Sequence, residues 1–344
     1  MTDLLGVHHV TVLARDPIAN LRFTIDALGL RLVRRSVCRQ DPSTYHLFYG
    51  DRTGAPGTIM TFRPDRDAER SRDGTGEIAR VYLGVPQGSL ARWRDRIQAR
   101  GAEVTEVPER RIRGPFEGDR VEFTDPDGTP IALVASTGPA TPWAHPEIDA
   151  DIQPTGIAAV TIDVPSPDET SGFLREVLGF TPWRDPQGGA GDAADAGQVA
   201  WHQLHDGGPG RLLELRRRAG EPAASGAGFV HHVAWRVADR AALDRVAQKL
   251  MEAGVTPSPV TDHGAFESIG VRIPGGVRFE FATDGPGFTA EVPEARLGRT
   301  LQLPADLEPR RRDIEQGLVP GADQFDRVLR VVSEPMELAG SDRG

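Results

Sequence analysis

Gly6-Val7-His8-His9-Val10-Thr11-Val12 opens the chain, and the same form returns late in it as Phe229-Val230-His231-His232-Val233-Ala234-Trp235. Each is a His pair set among apolar, β-branched and aromatic residues, a composition that favours a strand over a helix. Successive residues of a strand face opposite sides, so His9 shares a face with Val7 and Thr11, and His232 with Val230 and Ala234. Gly275-Gly276-Val277-Arg278-Phe279-Glu280-Phe281 reads as a further strand and sets Glu280 among apolar neighbours. Two imidazoles and one carboxylate on three strands can make the facial set that holds a divalent metal and leaves coordination positions open.

Outward from these strands the chain repeats one unit. Unit one spans about 4–63: a strand at 7–12, a helix at 17–28 closed by Gly29, and strands at 30–35, 44–49 and 58–62 around the turn 50–54. In unit two the strand 78–85 is followed by a Ser-capped helix at 89–99, then strands at 104–107, 120–123 and 130–134. Unit three has a strand at 157–164, a helix at 168–178 before Gly179, and strands at 180–183, 198–204 and 211–215; its stretch 188–197 reads as a flexible low-complexity loop. Unit four has a strand at 229–237, a helix at 240–253 before Gly254, and strands at 268–273 and 277–283. A period of roughly 70 residues constrains the fold more than any local assignment. One unit has too few strands to bury its own sheet face, so units should pair.

The expected class is α+β, with four βαβββ modules paired into two domains that have cup-like mixed sheets. Residues 1–137 make the first domain (modules one and two), 138–153 a Pro- and Ala-rich linker, and 154–290 the second domain (modules three and four). Residues 291–344 form a C-terminal extension with a helix near 309–318, and roughly the last 20 residues read as a mobile tail.

The composition narrows the function. With 344 residues, 38% hydrophobic and 26% charged, the chain is long enough for two full cores. A strand near the N-terminus leaves no room for a signal peptide, and no apolar run approaches ~18 residues, so no membrane role is expected. The single cysteine, Cys38, fits a reducing, cytoplasmic setting. A net charge of −10 argues against a nucleic-acid partner, and Arg216-Arg217-Arg218 reads as solvated surface. A homo-oligomer stays open. The expected partner is a small molecule.

Overlaying the units shows which copies carry ligands. The position of His9 and His232 holds Arg80 in unit two and Ala159 in unit three. The position of Glu280 holds Thr61 in unit one, Ala132 in unit two and Glu214 in unit three. Units one and four therefore supply His9, His232 and Glu280, with Thr61 in the fourth corner. The inventory predicts that unit one meets unit four around a single metal site. A lone His on a strand is ordinarily a core or surface residue, but two in matching positions are not a coincidence of composition. A carboxylate facing a core without a cationic partner is costly, and a metal relieves that cost. Strict alternation points His8 and His231 to the opposite face, where a hydrogen-bonded structural role stands beside a catalytic one.

The units with their HHV opening and last-strand Glu resemble the vicinal oxygen chelate superfamily. More closely, residues 6–12, Asp41-Pro42-Ser43-Thr44-Tyr45-His46-Leu47-Phe48-Tyr49-Gly50-Asp51, Pro56-Gly57-Thr58-Ile59-Met60-Thr61-Phe62, residues 274–280 and Leu307-Glu308-Pro309-Arg310-Arg311 resemble the hydroquinone-type ring-cleaving dioxygenases, over about residues 5–320. The resemblance implies Fe(II), with Mn(II) as the alternative, held by His9, His232 and Glu280. It implies outer roles for His8, Thr11 and His231, and the opening of a small aromatic diol by O₂. Fe(II) with three protein ligands leaves positions where a phenolate and O₂ bind side by side, and a nearby His can move the proton. His231 is the first candidate and His8 the second.

The substrate pocket is expected to include Thr11, Thr61, His263 and Gly270. In the segment before the last strand the family carries an Arg and a Tyr; here His263 and Gly270 stand in those places. A group that titrates thus replaces a fixed charge, and a hydroxyl and its volume are lost. Two other functions compete. A glyoxalase-like lyase or isomerase would need a second carboxylate where Thr61 stands, and a metal-free binding protein would need no His/His/Glu set.

Overall fold

The computed structural model describes residues 2–107, 114–116, 119–183 and 199–333. The low-complexity stretch 188–197 and the chain beyond Ser333 lie outside the described residues. Every unit is βαβββ. The first contains β1 (Leu4–Ala14), α1 (Pro17–Arg22) running into a π turn (Phe23–Ala27), β2 (Arg31–Val37), β3 (Tyr45–Gly50) and β4 (Ile59–Pro64). Asp16 starts α1 because its Oδ1 accepts the amides of Ile18 and Ala19 at 2.7 and 3.0 Å. Gly29, at φ 72°, turns the chain into β2.

The second unit is β5 (Glu77–Val85), α2 (Leu90–Ala99), β6 (Thr105–Val107), β7 (Arg120–Thr124) and β8 (Pro130–Ala135). The third is β9 (Gly156–Val164), α3 (Pro167–Glu176), β10 (Thr181–Pro182), β11 (Val199–Gln203) and β12 (Leu212–Arg217). The fourth is β13 (Val230–Val237), α4 (Arg240–Glu252), β14 (Thr261–Asp262), β15 (Glu267–Arg272) and β16 (Arg278–Thr283). The short β14 has no counterpart among the strands expected from sequence.

Within each unit the last strand lies parallel beside the first: β4 on β1, β8 on β5, β12 on β9 and β16 on β13. The units then join through their first strands. β1 pairs antiparallel with β13, and β5 with β9. One cup therefore runs β2-β3-β4-β1-β13-β16-β15-β14, and the other runs β10-β11-β12-β9-β5-β8-β7-β6. A single register pair, Val230 with Ile78, ties them into one sheet. Unit one meets unit four, as the ligand inventory requires. Apolar residues on the far faces, among them Val10, Val12, Val233, Trp235 and Phe281, pack with the helices into a continuous core.

The first strands are not regular. Val7 faces Trp235 and His9 faces Ala234, so His8 is an extra residue on β1. Thr11 faces His232 and Val12 faces Val230, which makes His231 the extra residue on β13. A bulge of this kind breaks the two-residue alternation and re-aims a side chain. The expectation that His8 and His231 point away from the site is therefore incorrect: each lies beside its neighbour on the site's side. The other cup repeats both irregularities at Ala79 and Ala158.

Residues 138–153 hold no helix or strand, yet they are tied down. Thr141 N donates to Asp51 at 2.8 Å, Trp143 Nε1 to the Gly29 carbonyl at 2.8 Å, and Ile148 is buried. In the C-terminal extension, α5 (Arg311–Gly317) falls where a helix was expected, but α6 (Ala322–Ser333) follows it, with Phe325 fully buried. α6 reaches into roughly the last 20 residues, which read from sequence as a tail.

Candidate metal centre

His9 on β1, His232 on β13 and Glu280 on β16 converge at the floor of the first cup. Glu280 comes level because β16 runs parallel beside β13, with Ala234 opposite Glu280. His9 Nε2 lies 3.2 Å from His232 Nε2 and 3.6 Å from Glu280 Oε1, and His232 Nε2 lies 3.4 Å from Glu280 Oε2. Bonds of about 2.1 Å would separate ligand atoms by about 3.0 Å at right angles and about 3.4 Å at tetrahedral angles. The two imidazole nitrogens and the carboxylate are therefore spaced as ligands on one face of a metal ion. Among the described residues they are the His/Cys/Asp/Glu group with this geometry.

The electrostatics suit a cation. Burial pushes Glu280 up to about 7, with the Ser268 hydroxyl pulling it back in part. Burial likewise holds His9 and His232 well below the ordinary imidazole value, helped by neighbouring imidazoles. Both are neutral, so a metal need displace no proton from them. An ionised carboxylate with no positive partner is what a bound dication would compensate.

Each candidate ligand ring is met from behind by its bulged neighbour. His8 Nδ1 lies 2.9 Å from His9 Nδ1, and His231 Nδ1 lies 2.8 Å from His232 Nδ1. For His9 Nε2 to ligate, its Nδ1 carries the proton and neutral His8 accepts it in a hydrogen bond at Nδ1.

The remaining expected residues fall in different places. Thr11 Oγ1 lies 2.9 Å from His232 Nε2 and 2.8 Å from Thr61 Oγ1. Thr61 is fully buried and is covered by Thr11, which does line the cavity. His231, His263 and Gly270 line it as well, whereas His8 is buried against Phe266 with ring centroids 4.8 Å apart. The cavity holds about 690 Å³. Gly270 is the cross-strand partner of Glu280, and a Cβ there would meet nothing closer than Ser258 Oγ at 3.8 Å. A side chain there would begin with ordinary van der Waals contacts only. Burial pushes His263 down to about 4. It is therefore neutral near pH 7, which corrects the expectation of a titrating charge.

Sequence reasoning overlooked several groups. His46 Nε2 lies 3.1 Å from Thr61 Oγ1, and its ring packs on Phe48 at 4.2 Å. Phe48 is opposite Thr61, so strand alternation from Thr61 would have found His46 two residues away. Ser268 Oγ lies 3.0 Å from His263 Nε2 and reaches Glu280, linking pocket wall to carboxylate. Arg34, Arg39, Arg63, Arg272 and Arg278 also line the cavity.

In the second cup the matching ground is filled. Glu214 accepts from Tyr82 Oη at 2.9 Å and from Thr161 Oγ1 at 2.5 Å. Phe116 stacks on Tyr82 at 5.5 Å, and Trp201 closes on both.

The sequence profile of the Glyoxalase/Bleomycin resistance protein/Dioxygenase superfamily matches residues 6–133 and 156–281. The chain belongs to that superfamily. Within it, the chain is 34% identical over 320 residues to MhqO of Bacillus subtilis (strain 168), provisionally named a ring-cleaving dioxygenase, covering 92% of this chain and 96% of that one. It is 30% identical to the chlorohydroquinone/hydroquinone 1,2-dioxygenase of Sphingobium indicum, covering 88% and 92%. The crystal structure of a provisionally assigned dioxygenase from Bacillus subtilis superposes with a TM-score of 0.83 at 32% identity, covering 93% and 98%. Glyoxalase I from Zea mays, at 17% identity and a TM-score of 0.57 over 81% and 92%, shares the fold.

Proposed function

We propose that this superfamily member is an Fe(II)-dependent dioxygenase that opens a hydroquinone- or catechol-like ring with O₂. The observation that carries the reading is the His9, His232, Glu280 set, of which His232 and Glu280 line a cavity large enough for one aromatic ring, in a chain whose relatives are named for ring cleavage. Mn(II) is the alternative metal for the same donors. Bound there, the metal would lower the pKa of a ring hydroxyl and accept O₂ beside it.

The chain's own residues have separate tasks. His9, His232 and Glu280 hold the metal on one face. If His232 Nε2 ligates, its Nδ1 carries the proton and gives it to His231 Nδ1, at 2.8 Å. His231 then presents an Nε2–H to the cavity, where it would hydrogen-bond an oxygen of the substrate or of O₂; it can take up a proton only at Nδ1, by giving up the bond from His232. Burial and the nearby Arg63, Arg278 and Arg272 hold it down to about 4, so it is neutral near pH 7. His8 lies off the cavity and orients His9. Thr11, backed by Thr61 and His46, offers a hydroxyl beside the ring; His263 and Gly270 shape the wall. A lyase working through a second carboxylate finds only Thr61 in that corner.

We also take 1–137 and 154–290 as the two domains, and place the enzyme in the cytoplasm on the strength of the free, buried Cys38. No described helix is long and apolar enough to cross a membrane.

The test is oxygen uptake by protein reconstituted anaerobically with Fe(II), offered a panel of aromatic diols. One O₂ consumed per aromatic band lost is expected. Glu280→Ala should lose iron and uptake together, while Glu214→Ala keeps its iron. Bound iron without uptake on any diol overturns the reading, and turnover without O₂ would move the site to lyase chemistry.

A further inference from the structure

The cavity wall is cationic in a chain whose net charge is −10. Two of its arginines are balanced: Arg34 lies 3.4 Å from Glu291, and Arg39 lies 2.9 Å from Asp306. Three are not. Among the described residues, Arg63, Arg272 and Arg278 have no carboxylate within 4.0 Å. Arg63 Nε donates to Cys38 Sγ at 3.2 Å, and Arg272 donates to the Gly276 carbonyl. Asp41 is close enough to feel Arg63, but its two oxygens are taken by Ser43 Oγ at 2.6 Å and Thr44 Oγ1 at 2.8 Å.

Their placement is specific. Arg272 and Arg278 are direct cross-strand partners on β15 and β16, a position where like charges are unfavourable. Arg278 is two residues before Glu280, and Arg272 is two residues after Gly270, the partner of Glu280. Both side chains therefore leave the sheet on the face of Glu280, about 7 Å along it. Arg63 is two residues past Thr61 on β4, which runs antiparallel to β16, so it comes to the same end of the cup. All three act on His231, which stands among them. At the opposite end, around His8 and Phe266, the arginines are balanced: Arg34 lies 3.4 Å from Glu291 and Arg236 lies 2.8 Å from Asp284.

From this juxtaposition we infer that the ring accepted by the site carries an anionic substituent, a carboxylate or sulfonate, gripped by Arg63, Arg272 and Arg278. Guanidinium forks suit planar oxyanions, and three of them at one end would orient the ring with its hydroxyls towards Glu280. Arg272 and Arg278 are exposed at the cavity rim, and a solvated arginine needs no partner, but two directly opposed guanidiniums lose their mutual repulsion when an anion sits between them. The identity of the ring as a diol rests on the dioxygenase reading; the grip on an anion does not.

The test has a binding arm and a turnover arm. Metal-free protein is titrated calorimetrically with hydroquinone, 2,5-dihydroxybenzoate, 2,5-dihydroxybenzenesulfonate and inorganic phosphate. The two anionic rings should bind at least about tenfold more tightly than hydroquinone, weaken with salt, and lose that preference in the Arg272→Gln/Arg278→Gln double variant. With Fe(II), the kcat/KM ratio of anionic to neutral diol should fall towards one in the same variant. Equal binding of neutral and anionic rings overturns the inference, as does a preference that survives the double variant. Phosphate binding without any preference among rings would mean a site for a free anion only, and also overturns it. A clear preference in binding with no oxygen uptake on any diol would sink the dioxygenase reading and leave the anion grip standing.

Discussion

Glu280 sits beside two neutral imidazoles with no Arg or Lys among the described residues in an ion pair with it, and burial lifts its pKa from 4.5 to about 7. A carboxyl with a raised native pKa favours folding most below its unfolded value. That contribution is lost as pH rises through about 7, because the native protein must then hold a buried charge. The metal-free Glu280→Gln variant lacks this charge. It should therefore be more stable than the parent at pH 8.5, by on the order of 3 kcal/mol, and nearly equal to it near pH 4.5. Urea midpoints in the presence of chelator measure the difference, and a variant that is less stable at pH 8.5 would mean Glu280 is compensated without metal. The buried histidines act in the other direction. His8, His46 and His263 have lowered pKa values, so their contribution is present above about 6.5 and is lost on acidification. The residue types of the candidate ligand set were legible in the sequence because two repeats placed His at one position. The charge state of His263 was not, because it depends on burial by residues distant in the chain.

At the level of elements, the bulges at His8 and His231 decide which way the paired histidines face. A bulge is a mismatch between two strands, so neither strand's sequence declares it. The C-terminal extension is a second case. β2 ends the sheet order, and an uncovered edge is a liability. Gln302 N bonds the Arg35 carbonyl at 2.8 Å, Arg35 pairs with Asp326 at 2.6 Å, and Tyr45 Oη donates to the Pro320 carbonyl at 2.8 Å. Phe325 lies under the Arg35 guanidinium at 4.8 Å and against Tyr45 at 5.1 Å. Phe325→Ala should cost about 3–5 kcal/mol of stability, by the cavity it leaves. A lower thermal midpoint with unchanged metal content is the expected result. An unchanged midpoint would mean that α6 does not hold the β2 edge.

For the whole molecule, the candidate centre belongs to neither half of the chain. His9, Thr11 and Thr61 come from the first half, and His232 and Glu280 from the second, joined through the β1–β13 pair. Expressed separately, residues 1–137 and 138–344 should each bind metal weakly, and mixing them should restore one site per pair. Metal titration of the separate and mixed fragments checks this. Tight binding by the C-terminal fragment alone would remove His9 from the centre.

The sequence alone determined the βαβββ repeat, which copies carry the candidate ligands and the meeting of unit one with unit four. Each follows from local strand and turn chemistry multiplied by repetition, which survives without knowledge of contacts. Tertiary structure decided the inward turn of His8 and His231, the neutral state of His263, the docking of α6 and the gathering of Arg63, Arg272 and Arg278 at one end of the cup. These depend on register across strands and on burial between residues far apart in the chain, quantities that exist only once the sheet has closed.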